Sequence, residues 1–138
     1  MTKTPPETAP PGQNPPAKAR RPATKSQDKK ILKQVMEGLS DAKGENPVIL
    51  DLRKLTSMAD YFVIAHGTND RQVQAMAREV ERRLHESFER KPLHVEGVGP
   101  AQWILMDYGD FIVHLLLAAK RAHYDIEGIW ADAPRVEL

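Results

Sequence analysis

Asp60-Tyr61-Phe62-Val63-Ile64-Ala65-His66-Gly67-Thr68-Asn69-Asp70, running on to Arg90, is the segment on which the fold class turns. Tyr61 to Ala65 is a short apolar run bounded by Asp60 and by the turn residues His66 to Asp70, the pattern of a strand. It has no polar alternation, which predicts a strand covered on both faces. From Asn69 to Arg90 the apolar residues Val73, Met76, Ala77, Val80, Leu84 and Phe88 recur at helical spacing. The other positions of this helix carry charges of both signs, Arg71, Arg78, Arg82 and Arg83 with Glu79, Glu86 and Glu89, which read as a solvated face.

Upstream, Ile31, Leu32, Val35, Met36, Leu39 and Ala42 predict an amphipathic helix over 26–43, stopped by Gly44. Gly44 to Pro47 then reads as a turn and Val48 to Leu52 as a second covered strand. Downstream, Leu93 to Glu96 is a short strand and Gly97 to Pro100 a loop. Trp103 to Asp107 and Asp110 to Leu115 are separated by Tyr108-Gly109, the two-residue spacing of a tight hairpin. In that register Asp107 faces Asp110, Met106 faces Phe111, Leu105 faces Ile112, Ile104 faces Val113 and Trp103 faces His114. One face collects Ile104, Met106, Phe111 and Val113. The other collects Trp103, Leu105, Ile112, His114 and both aspartates, a mixed face suited to meeting a partner. Lys120 to Trp130 reads as a closing helix with Tyr124, Ile126, Ile129 and Trp130 available for burial.

Composition bounds the rest. The chain has 138 residues, 41% hydrophobic and 28% charged, which suits one domain of an ordinary globular class. No apolar stretch approaches a membrane span. With no cysteine, disulfides, thiolate metal sites and a cysteine nucleophile are excluded. A net charge of +1 conceals a split: residues 1–25 hold five basic groups and one acid, whereas residues 26–138 hold 15 basic and 18 acidic groups. Seven of the 11 prolines fall in the first stretch, which has no large apolar side chain after Met1 and cannot bury enough surface to offset its ordering entropy. Residues 1–25 are therefore expected to be a disordered basic tail, either a weak electrostatic contact for nucleic acid or a solvated leader. It lacks the features of a secretory or mitochondrial signal, so a cytoplasmic location is expected.

Like charges opposed on one hairpin face repel, so Asp107 and Asp110 require an explanation. They are solvated turn residues, or metal-binding or acid/base carboxylates, or the acidic half of an interface flanked by Trp103 and Tyr108 as aromatic anchors. His66 to Asp70, between strand and helix, has one glycine and no P-loop lysine and reads as a plain N-cap. The five histidines show no paired metal spacing, and no nucleophile-elbow, Walker or dinucleotide fingerprint occurs. The pattern favours a binding module over an enzyme, with no cofactor or metal expected. A metal-dependent nucleotidyltransferase or phosphohydrolase using Asp70, Asp107 and Asp110 is the runner-up reading.

Ala59 through Val73, Trp103 through His114 with its Asp-Tyr-Gly-Asp turn, and Arg121, Tyr124 to Glu127 and Trp130 to Ala133 together resemble the ribosomal silencing factor, or Iojap-like, family. The resemblance runs from about residue 28 to residue 134. It implies a single domain of α/β (α+β) type, a mixed central sheet of about five strands flanked by helices, with a topology related to nucleotidyltransferases. It also implies a translational repressor that binds the large ribosomal subunit through ribosomal protein fourteen and sterically blocks the small subunit under nutrient limitation. Trp103, Asp107, Tyr108 and Asp110 are then the expected partner-binding residues, the acids offering charge complementary to a basic ribosomal protein, with Arg71 and Tyr124 as further candidates. For Tyr124 and Trp130 core packing is the competing reading. Such a factor is expected as a monomer or weak homodimer.

Overall fold

The computed structural model describes residues 25–138, so the tail expected over residues 1–25 lies outside the described residues except for Lys25. Helix α1 (Lys25–Asp41) is followed by strands β1 (Glu45–Asp51) and β2 (Tyr61–Gly67), helix α2 (Asp70–Phe88), strands β3 (His94–Glu96), β4 (Trp103–Asp107) and β5 (Phe111–Leu117), and two short helices, α3 (Ala118–Tyr124) and α4 (Ile126–Ile129). The five strands form one sheet in the order β1-β2-β5-β4-β3. Only β2 and β5 run parallel, which makes the sheet mixed, as the α+β expectation has it.

Both faces of this sheet are covered. On one, Ile31, Val35 and Leu39 of α1 and Val73, Met76, Val80 and Leu84 of α2 pack on Ile49, Val63, Ile104, Met106, Val113 and Leu115. On the other, a thinner cover built from Leu52, Ala59, Ile126 and Ala133 lies on Leu50, Phe62, Ile64, Leu105, Ile112 and Leu116. Alternate residues of β1, β2, β4 and β5 supply the two cores, which is why the runs over 48–52 and 61–65 carry no polar alternation. The mixed hairpin face expected to be open to a partner is thus an internal layer for most of its length.

Local signals set the ends of α2. Asn69 Oδ1 accepts from Gln72 N (2.9 Å) while Gln72 Oε1 accepts from Thr68 N (2.7 Å), a reciprocal cap of the kind read from His66 to Asp70. At the other end Glu89 takes a left-handed conformation (φ 54°), and its N–H and that of Arg90 close on the carbonyls of His85 and Leu84 (3.0 and 3.1 Å). This stops the helix at Phe88 rather than Arg90 and turns Arg90 back toward the sheet.

Two further differences from the sequence reading change the shape of an element. Glu45 to Pro47 belong to β1 and not to a turn, because Asn46 (φ 47°) forms an irregularity that lets Glu45 pair with His66. The closing helix is two helices broken at Asp125, whose backbone is left-handed (φ 48°) and whose Oδ1 accepts from Gly128 N (3.1 Å). The break leaves Tyr124 at the end of α3 and sends Ile126 into the second core.

Candidate functional site

The β4–β5 hairpin carries most of the expected site residues, and its register differs from the one read off the sequence. Asp107 pairs with Ile112, Met106 with Val113, Leu105 with His114, Ile104 with Leu115 and Trp103 with Leu116. The two-residue turn is Gly109-Asp110, with Tyr108 N donating to Phe111 O (2.9 Å) across it. A Tyr108-Gly109 turn would drive the Tyr108 backbone to positive φ, whereas moving the turn by one places only Gly109 there (φ 94°). Each residue's partner shifts by two positions, so every side chain keeps its predicted face.

The shift changes the chemistry at the turn. Asp107 and Asp110 do not oppose one another: Asp107 Oδ1 accepts from Gly109 N (2.8 Å) and Asp110 Oδ1 accepts from Arg90 Nη2 (2.7 Å). The same Arg90 nitrogen donates to Tyr108 O (2.9 Å), and its guanidinium lies over the rings of Tyr108 and Phe111, which stack 4.9 Å apart. Asp107, Tyr108 and Asp110 are only 8%, 3% and 5% exposed. Burial pushes the Asp107 carboxyl above its usual range, against the pull of the Gly109 N–H, and pushes the Tyr108 hydroxyl up as well. This end of the hairpin is a buried staple bridged by Arg90, with the Tyr108 hydroxyl enclosed without a hydrogen-bond partner, and not a projecting acidic patch.

At the open end the order is reversed. Trp103 is half-buried, and its ring sits 4.8 Å from that of Tyr124, also half-buried, at 50°. Exposed His123 stacks edge-on against Tyr124 at 4.8 Å, and Ile129 in the same covering layer is 57% exposed. Inward, Trp103 Nε1 donates to His114 Nδ1 (3.2 Å), and His114 packs edge-on against Phe62 (4.5 Å), which in turn meets Trp130 (5.9 Å). Gly97 backs this arrangement: at φ 85° its backbone passes so close that a Cβ would fall 2.1 Å from the Trp103 carbonyl oxygen. A row of rings thus runs from solvent to core, with Tyr124 partly in solvent as well as in packing contact. Large, rigid aromatic surface of this kind is what interface anchors are made of.

The remaining candidates are dispersed. Arg71 is exposed in the first turn of α2, which covers the sheet face opposite Trp103. Asp70 follows the C-terminal end of β2, whereas Asp110 precedes Phe111, the partner of Tyr61 at its other end. The length of β2, about 20 Å, separates them. The three carboxylates of the runner-up enzyme reading therefore form no common site, and among the described residues no group of three His, Asp or Glu side chains is placed to hold a metal ion. Two residues that matter were not singled out in the sequence. Arg90 lies 20 positions from Asp110 and carries no local signal. His114 was signalled only by its place on the same hairpin face as Trp103.

Residues 24–138 match the family model described as ribosomal silencing factor during starvation. A curated relative from Bacillus subtilis, ribosomal silencing factor RsfS, is 39% identical over 111 residues, spanning 80% of this chain and 92% of that protein. A relative of the same name from Halalkalibacterium halodurans is 38% identical over 80% of this chain and 94% of its own. Among solved structures, a crystal structure of a Chromobacterium violaceum protein superposes with a TM-score of 0.72 at 39% identity, covering 75% of this chain and 85% of that one.

Proposed function

The chain belongs to the ribosomal silencing factor family, and from that premise we propose that it represses translation by binding the large ribosomal subunit through ribosomal protein fourteen and sterically blocking association with the small subunit. The observation that carries the docking surface is the half-buried Trp103–Tyr124 pair at the open end of the hairpin. An obstructing factor needs occupancy and bulk, and no reaction. We assign Trp103 and Tyr124 to the centre of the contact and Arg71, exposed at the same end of the sheet, to its rim. Asp107, Tyr108 and Asp110 then serve the contact by holding the hairpin rather than by touching the partner. The basic tail adds a weak, salt-sensitive contact with ribosomal RNA. Among the described residues no helix is long and apolar enough to cross a membrane, and the proposed place of action is the cytoplasm, as a monomer or weak homodimer.

Co-sedimentation of the full chain with separated large and small subunits tests this. The protein should travel with the large subunit only. Trp103→Ala should lose about 2 kcal/mol or more of binding, roughly thirtyfold, with its circular dichroism retained. Equal binding to both subunits, or to neither, would sink the reading. Wild-type affinity in a folded Trp103→Ala protein would move the contact elsewhere on the surface.

A further inference from the structure

Trp103 is held from behind by a residue that packing alone does not explain. His114 stands in β5 on a face otherwise furnished by Leu105, Ile112, Leu116 and Phe62, all apolar, and it is only 4% exposed. Its Nδ1 accepts the Trp103 indole N–H at 3.2 Å. The ring hydrogen therefore sits on Nε2, and that atom is buried with no hydrogen-bond partner. An orphaned buried N–H is a standing cost that a leucine here would avoid, and native chains retain few such groups without a reason. The one polar bond His114 makes goes to the indole of Trp103, which is half-buried and partly open to solvent.

We propose that His114 is a positioning residue for docking, its Nδ1 fixing the rotamer in which Trp103 presents its ring to the partner. Tyr124 and the second core also pack against the Trp103 ring, and the bond to Nδ1 is the directional contact among these. A preset rotamer removes an ordering cost that binding would otherwise carry. Burial holds the imidazole neutral, with its pKa pushed down to about 3, so the acceptor lone pair is present wherever ribosomes are stable. The proposal rests on the assignment of Trp103 to the contact.

The test joins two readouts on the full chain, affinity for large subunits and the Trp103 indole N–H resonance, assigned by its loss in Trp103→Phe. In the wild type that resonance should be slow to exchange with solvent. His114→Leu should shift it, speed its exchange and weaken subunit binding by about tenfold, the worth of one hydrogen bond. His114→Asn places an amide oxygen near the Nδ1 position and should restore both readouts, whereas His114→Gln, whose oxygen falls nearer Nε2, should restore neither. The Asn and Gln pair keeps the comparison intact if the leucine variant fails to fold. The proposal is overturned if Asn and Gln variants behave alike, or if His114→Leu binds as the wild type does while Trp103→Ala does not. If Trp103→Ala itself binds normally, the docking assignment is what has failed.

Discussion

At its turn, the β4–β5 hairpin folds Asp107, Tyr108 and Asp110 inward beneath Arg90; at its open end, about 13 Å along β4, it leaves Trp103 only half-buried beside Tyr124. Both ends join an aromatic to polar groups, and in sequence the turn looks the more functional because its two acids have no visible partner. The difference lies in what the rest of the chain brings. Arg90 arrives at the turn from the end of α2 and satisfies Asp110, so the turn is closed, with the Tyr108 hydroxyl sealed inside it without a hydrogen-bond partner. At the open end α3 and α4, of seven and four residues, leave Trp103 and Tyr124 only partly covered. A buried polar residue that already has its partner speaks for stability, and a half-covered aromatic speaks for binding.

The comparison breaks most readily at Arg90. Arg90→Ala leaves the Asp110 carboxylate buried and unpaired and should cost about 3–5 kcal/mol of stability in urea titration, with binding per folded molecule unchanged. Arg90→Met combined with Asp110→Leu, which removes the pair together, should recover most of that loss. A single variant as stable as the wild type would show that the turn is not held by this pair. Next in size is Gly109→Ala. Its φ of 94° is one that L residues avoid, and the expected loss is about 1–3 kcal/mol, again without effect on docking. Should Gly109→Ala weaken docking beyond its loss of folded protein, the two ends would be coupled.

The smallest effect concerns Asp28, in the first turn of α1. Partial burial, and then the nearby Asp110 and Asp60 carboxylates, push its pKa up to about 6, against the attraction of Arg53 and Arg90. A carboxyl whose folded pKa is raised favours the native state while it is protonated, so its contribution is complete below about pH 4 and is lost as pH rises through about 6. Asp28→Asn should therefore melt higher than the wild type at pH 7, with the difference vanishing below pH 4. A difference of the opposite sign at pH 7 would mean that the helix-terminal attraction for a negative charge outweighs burial at this position.

Much of the fold was legible locally. The strand at 61–65, the capped helix after it, the short strand near Val95 and the two faces of the hairpin follow from periodicity and cap residues, because those signals act within a few positions along the chain. The hairpin register did not, since Tyr108-Gly109 and Gly109-Asp110 both satisfy a two-residue spacing and only the cost of positive φ at Tyr108 separates them. The site was half legible. Trp103 and Tyr124 stood among the expected residues, but their contact joins the start of β4 to the end of α3 and depends on the break at Asp125.

By itself the sequence determined most of the element types, the two covered strands over 48–52 and 61–65 and, through three separated motifs, the family. Which polar residues are spoken for was decided only by the tertiary structure. Partnership is a matter of distance in space: Arg90 finds Asp110 across 20 positions of chain with no local pattern to encode it, and the hairpin spacing puts His114 on the same face as Trp103 without giving the bond between them. Burial then turns the one meeting into a staple and leaves the other beneath a surface that a partner can reach.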